Sequence, residues 1–506
     1  MSLSAIDRRA LTSGVAIDGR PGDLTSLDRL RWTGFGGVLL LTGASWAGLA
    51  SSGVPALSLA AGVAGVGLLV LSWALLGRAV HAGRTLPTAG WLKWTLVLWS
   101  GPLLVAPPLF SRDVFSYLAQ GEVAARGLDP HLVSPSAGLG AASEIVERVG
   151  IYWRDTPSPY GPLFGAVERL IAQVSAGDPV VGVLLYRLVA VLGLVLIGWA
   201  VPRLAAAAGA SPRAALWLGV LNPLVLWHLV AGVHNDSLML GLMLAGTAVA
   251  LGALRKGIEW WPLAFGVVLI ALGAEVKLPA LIALAVVGTA LARRRGGRVA
   301  DFLVAGVGMV LAFAAVFGVV SLLTGLGFGW SETLGTPGRV NSWMAPTNWF
   351  GFLTGGIGAL FGAEITQTMI GVGKVIGAVL AVCGIAFVLH RQLRGRIGEV
   401  ASLGTMLGVV VVLGPVVQPW YLLWAVIPLA ACLPTGRGWA RMAALVAVFA
   451  VLVPPLAGNF TGRVGQLVAG YAIGILLVGV AFLLLRQAEA RSVLASTVDE
   501  RPKSLV

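Results

Sequence analysis

SRDVFSYLAQGEVAARGLDPH, residues 111–131, is a polar island set directly behind one of the most apolar runs of the chain. An arginine and an aspartate stand side by side at its start (Arg112, Asp113), VFSYLAQGEVAA follows as a three-turn helical pattern, and the stretch leaves through Gly127, Asp129, Pro130 and His131. Gly followed by Asp-Pro is where a helix stops. The surrounding composition decides the setting. Of the 506 residues, 57% are hydrophobic and only 11% charged, with a mean hydropathy of +0.89, so the chain cannot present an ordinary charged surface to water. It reads as an all-α polytopic membrane protein that holds this island at the rim of a bilayer.

A span needs about 20 apolar residues. Runs near 34–51, 55–77, 92–109, 179–201, 214–232, 237–254, 262–273, 278–292, 299–324, 367–389, 400–417, 420–433, 440–457 and 466–486 give about 14 spans. They form one transmembrane domain over 32–487, between tails at 1–31 and 488–506. The short runs 262–273 and 278–292 suit a broken or re-entrant unit, and 351–362 another re-entrant piece. Many of the 69 glycines lie inside apolar runs, where small residues let helices approach closely in lipid. Placing the N-terminus in the cytoplasm collects 25 of the 35 Lys and Arg on the inner side, as the positive-inside rule requires. The net charge of +13 is then mostly topology, and no nucleic-acid partner is implied. Both tails become cytoplasmic, and two long segments, about 110–178 and 325–366, become extracytoplasmic.

The first 31 residues lack an apolar core ahead of a small-residue cleavage site, which argues against a cleaved signal peptide. Cys383 and Cys432 lie within apolar runs, so no disulfide framework is implied. Without a Cys/His cluster, no obligatory metal or cofactor is expected.

Several constellations carry candidate chemistry. On a helix, Asp113, Tyr117 and Gln120 share one face, and a carboxylate at the bilayer rim suits removal of a proton from a sugar hydroxyl. The competing reading has Ser111 or Asp113 capping the helix. His131 is a candidate sugar contact at the exit of the island, or part of a plain Asp-Pro turn. Tyr160-Gly161-Pro162 precedes LFGAVERLIAQV, in which Leu163, Val167, Leu170 and Ile171 recur at the spacing of an amphipathic surface helix. His234, Asn235 and Asp236 lie between two spans, as a functional cluster or a helix cap. Glu275 and Lys277 interrupt an apolar run just before Pro279, and two residues apart they do not face each other on a helix, so each needs another partner. A lipid phosphate would suit Lys277. Arg339 stands among Trp343 and Trp349, as interfacial anchors or as a phosphate and sugar site. Gln418 and Trp420 open a span.

Taken with SPYGPLF at 158–164, GVHNDSLMLGLML at 232–244, EVKLPAL at 275–281 and VQPWYLLW at 417–424, the island resembles the polyprenol-phosphate-mannose-dependent α-1,6-mannosyltransferases of actinobacteria. The resemblance runs from about residue 90 to 460. It implies an integral-membrane glycosyltransferase of the GT-C class, a polyprenyl phosphate mannose donor, and a mannan or lipomannan acceptor at the outer face of the plasma membrane. It also implies an inverting reaction and an acidic base in the first large extracytoplasmic loop, a place that Asp113 matches. Lys277 and Arg339 become candidates for the donor phosphate. Arg112, Tyr117, His131, Tyr160, His234, Asn235, Asp236, Gln418 and Trp420 become candidates for sugar and acceptor. Two rivals remain: a lipid-linked-sugar flippase or transporter, for which a repeat of the polar motifs would be expected, and a GT-C transferase of another sugar.

Overall fold

The computed structural model describes residues 21–50, 56–82, 87–333, 335, 338, 341–456 and 462–499. Among these residues every regular element is a helix. The chain opens with α1 (Pro21–Ala50) and α2 (Ala56–His81), packed along their lengths, and α3 (Ala89–Leu103). The first long connection carries α4 (Asp113–Ala125), the single-turn α5 (Pro135–Leu139) and α6 (Glu144–Arg148), and α7 (Pro162–Ser175). Next come α8 (Pro179–Ala207) and a broken unit, in which α9 (Pro212–Ala215) continues as wide π turns over Leu216–Val220 and Val225–Ala231. Then follow α10 (Asp236–Ala253), α11 (Trp260–Val276), α12 (Leu281–Arg295) and α13 (Val299–Thr324). The second long connection holds α14 (Trp330–Thr333) and α15 (Pro346–Leu360). The chain closes with α16 (Thr366–Leu393), α17 (Glu399–Leu413), α18 (Leu422–Ala430), α19 (Arg437–Leu452) and α20 (Val464–Asp499).

Among the described residues, α1, α2, α8, α10, α13, α16 and α20 are long and apolar enough to cross a membrane, and the unit bent by 57° between Val220 and Val225 makes an eighth. Each of the fourteen apolar runs read as a span contains helix among the described residues. Six of them, however, are helices of only 9 to 17 residues, so the count of 14 is not reached by length. The cause is local. Extended Lys277 ends α11, Gly414-Pro415 ends α17, and Pro102 and Pro428 interrupt the ladders of α3 and α18. α1 also begins ten residues before the end of the expected N-terminal tail, and α20 runs past the expected start of the C-terminal one.

Close backbone approach fixes the part of the fold that matters for chemistry. A Cβ on Gly193 of α8 would overlap the Ser237 carbonyl of α10, and one on Gly241 would overlap Gly193. The Ser237 hydroxyl donates to the Ala190 carbonyl at 2.6 Å, so the start of α10 is clamped against α8. On the other side of the broken unit, Trp73 and Trp217 stack at 4.2 Å and each indole N–H donates to the other's backbone carbonyl. The two long connections also meet: the Trp330 indole donates to Pro159 at 2.9 Å, and Gly329 lies against Asp129 and His131.

Candidate functional site

Asp113 is the first residue of α4. Its own amide donates to the Ser111 hydroxyl at 3.0 Å, so the capping role falls to Ser111 and the Asp113 carboxylate is left for other contacts. That carboxylate turns to His234, whose Nδ1 lies 3.4 Å from Asp113 Oδ2. The imidazole is buried, whereas the carboxylate keeps 23% of its surface exposed. His234 is held flat against Trp420, ring centroids 3.7 Å apart. Phe110 and His228 enclose Trp420 from further sides.

Backbone strain marks the same place. Among the described residues only Phe110, Ala176 and Val233 have positive φ without being glycine, and two of these three precede the SRD and HND motifs. A β-branched residue at φ 56 is a marked outlier, and such strain persists where the surroundings impose it. The π turn ending at Ala231 feeds directly into this corner, a geometry that recurs at functional sites.

Asp236 takes a different set of partners. It is fully buried at the start of α10 and accepts from Lys277 Nζ at 2.8 and 3.1 Å and from the Trp424 indole at 2.7 Å. Lys277 lies 4.6 Å from the Tyr421 ring centroid and 5.4 Å from that of Trp424. An ammonium has three N–H donors; two contacts go to the Asp236 carboxylate, and the Tyr421 side chain also interacts with the group. The Lys277 side chain is 16% exposed. Lys277 thus has a protein partner, and it is Asp236, not Glu275. Glu275 is buried with no hydrogen-bond partner for either oxygen.

Asp113, His234, Asn235, Asp236, Lys277 and Trp420 come together, although they stand on four separate stretches of the sequence. Asn235 is buried beside His234 with its amide unpartnered. Gln418 is half-buried just ahead of the short 3-10 turn that carries Trp420, and Arg112 is exposed beside Asp113. Other candidates are placed differently. Tyr117 and Gln120 do not form a polar wall with Asp113. Both are buried, with Tyr117 packed against Tyr160, Phe164 and Tyr186, because this face of α4 meets α7 and α8. Tyr160 is the half-buried edge of that aromatic group. His131 is also buried, bonded to the Tyr160 carbonyl at 2.8 Å and lying 3.1 Å from Asp129, so it ties the exit of the island to SPYGP. Arg339 lies outside the described residues. The buried stripe of α7 is rotated from the expected one. Phe164, Glu168, Ile171 and Ser175 face inward while Leu170 is exposed. Burial without a partner holds the Glu168 carboxyl well above the usual carboxylate range.

Phe110, His228 and Trp424 belong to this corner without having been candidates from the sequence, and Tyr421, next to Trp420 in the same motif, joins them. A signal existed for Trp424, which lies one helical turn after Tyr421. Among the described residues no three His, Cys, Asp or Glu side chains gather as a metal-ligand set.

Residues 33–293 match the family described as alpha-(1->6)-mannopyranosyltransferase, N-terminal domain, and residues 347–484 match the MptB C-terminal domain. The chain belongs to the alpha-(1->6)-mannopyranosyltransferase family. It is 44% identical to a probable alpha-(1->6)-mannopyranosyltransferase of Mycolicibacterium smegmatis over 75% of this chain and 72% of the relative. It is 38% identical to an alpha-(1->6)-mannopyranosyltransferase of Mycobacterium tuberculosis over 90% of this chain and 87% of that one. Alpha-(1->6)-mannopyranosyltransferase B of Corynebacterium glutamicum is 37% identical over 72% of this chain and 64% of its own length. No solved structure matches the chain. All the motifs gathered around Asp113 fall inside the two matched regions, so the corner belongs to the part of the chain shared with mannosyltransferases.

Proposed function

We propose that the protein is an inverting α-1,6-mannosyltransferase of the GT-C class, moving mannose from a polyprenyl phosphate β-mannose to a mannan or lipomannan acceptor at the outer face of the plasma membrane. The observation that carries this reading is the Asp113–His234 pair, in which the outward member is the carboxylate and the buried imidazole stands behind it. A base that meets substrate must face the open side, and Asp113 does.

In this reading an acceptor mannose hydroxyl approaches Asp113 and attacks the anomeric carbon from the face opposite the phosphate. The new C–O bond forms as the sugar–phosphate bond breaks, the electron pair leaves on the phosphate oxygen, and the hydroxyl proton passes to Asp113. Single displacement turns a β donor into an α product. A phosphate leaves as a stable anion, so no general acid is required. Asp113 is suited to stay ionised. Burial alone would raise its pKa, but the neighbouring His234 ring, Ser111 and the charge of Lys277 outweigh it, holding the carboxyl below its ordinary value. Lys277, 16% exposed beside Asp236, is the cation nearest to hand for the departing phosphate. Arg339 remains a second candidate for the phosphate.

The test is incubation of purified protein with labelled polyprenyl phosphate β-mannose and a short α-1,6-mannoside, followed by linkage and anomer analysis. An α-1,6-linked extension supports the reading. Transfer of no mannose, or a β-linked product, contradicts it.

A further inference from the structure

Arg187 lies about 12 Å along α8 from its start and is 3% exposed. Among the described residues no carboxylate pairs with it, so a full positive charge stands in a membrane-length helix without a counter-ion. Such a charge is costly there and marks a functional position by default. Its partners are two backbone carbonyls just past the end of α3: Nη1 donates to Leu104 at 2.7 Å, and Nη2 donates to Ala106. The sequence explains why these carbonyls need it. The residues three and four beyond Leu104 are Pro107 and Pro108, which have no N–H to give. The amide of Leu109, three residues beyond Ala106, is spent on the Ala231 carbonyl at 3.2 Å. The guanidinium thus supplies hydrogen bonds that the two prolines take out of the chain, and its charge sits at the negative end of the α3 dipole.

What lies beyond Ala106 gives this clamp a consequence for chemistry. The Leu109 amide holds Ala231, the Ser111 amide donates to the Leu109 carbonyl at 2.7 Å, and the Asp113 amide donates to the Ser111 hydroxyl at 3.0 Å. The strained Phe110 stands inside this short stretch. The other half of the site hangs on α8 by a separate contact one turn further on, where the Ala190 carbonyl accepts from Ser237. We propose that Arg187 is a positioning residue for the transfer step, fixing where the chain leaves α3 and so holding the Asp113 carboxylate within reach of the acceptor hydroxyl. The inference rests on the transferase reading, in which Asp113 is the base. It also separates the two ends of the site. Asp236 and Lys277 are held through Ser237 and Trp424, so loss of Arg187 should displace the base and leave the phosphate end in place.

Arg187→Met keeps a long apolar stem and removes the donors. Arg187→Lys keeps the charge on one ammonium, which lacks the fork that spans two carbonyls. Leu188→Ala, next in the chain and 65% exposed, is the control. Donor binding, Tm and mannosyl transfer from labelled polyprenyl phosphate mannose are measured on each preparation, with kcat expressed per donor-binding site so that unfolded protein does not enter it. The expected result is a fall of about 100-fold in kcat for Arg187→Met, the scale of a misplacement of about 1 Å. Arg187→Lys should lose less, donor KM should match the parent in both, and the control should be unchanged. Parental kcat per site in Arg187→Met, or a fall in kcat matched by an equal loss of donor affinity, overturns the inference while leaving the transferase reading intact. If neither variant folds, Arg187 is a requirement of the fold and the positioning role is likewise overturned. A wild-type protein that transfers no mannose removes the transferase reading itself.

Discussion

His234 Nδ1 lies 3.4 Å from Asp113 Oδ2, and of the two side chains only the carboxylate reaches the surface. The pair is built from opposite ends of two connections, and each end is preceded by a residue in strained backbone, Phe110 and Val233. Stacking on Trp420 prevents the imidazole from turning away. In the transferase reading His234 is therefore a positioning residue that orients the base and tunes its charge.

That role fixes a pH effect. A carboxylate base works only when deprotonated, so activity falls as pH drops through the Asp113 pKa, which sits below the ordinary value of about 4. Replacing His234 with Gln removes the largest influence that lowers this pKa and leaves burial to raise it. The acid limb of kcat should move to higher pH, measured as mannosyl transfer across pH. A merely structural His234 would lower the amplitude and leave the limb where it was.

The buried ion pair between Asp236 and Lys277 predicts a stability effect that a simple phosphate contact does not. Lys277→Met leaves a carboxylate at 0% exposure without its cation, which should cost about 3–5 kcal/mol and lower Tm in detergent. Asp236→Leu combined with Lys277→Met should recover much of that loss, because neither charge is left alone. Donor KM should stay raised in the double variant if Lys277 also meets the phosphate. A single Lys277→Met variant as stable as the parent would contradict the pairing.

The membrane setting was legible because it rests on composition and run length, which survive any detail of packing. The helix lengths were not, because single residues such as Lys277 and Gly414 end helices inside otherwise apolar sequence. Within the site, the motifs were visible but not their partners. Nothing in the spacing of residues 113 and 234, or of 236, 277 and 424, says that they meet, since these contacts span from 41 to 188 positions of sequence. Tyr117 misled for a related reason: periodicity puts it on the face of Asp113, but only packing against α7 shows that this face is interior.

Topology can be tested at a position the fold exposes. Ser116 is buried and makes a poor reporter, whereas Ala142 is exposed in the same connection. In a Cys383→Ser background, a cysteine replacing Ala142 should react with an impermeant thiol reagent in intact cells stripped of their outer envelope. Reaction only after lysis would put the site on the cytoplasmic side.

Gly161 lets the SPYGP turn settle on the end of α11, where a Cβ would overlap the Glu275 backbone. Gly161→Ala should lower stability by about 1–3 kcal/mol and reduce turnover, because the same backbone leads on to Lys277. Unchanged melting and activity would show that this contact gives way freely.

The most direct measurement is the turnover of Asp113→Asn, made on one preparation together with thermal stability and donor binding. Asparagine keeps the size of the side chain, and Ser111 already receives the Asp113 amide, so the fold should survive. The account predicts a stable protein that binds donor and transfers mannose about 100- to 10,000-fold more slowly. A stable variant that turns over at the parent rate would contradict the assignment of Asp113 as the base.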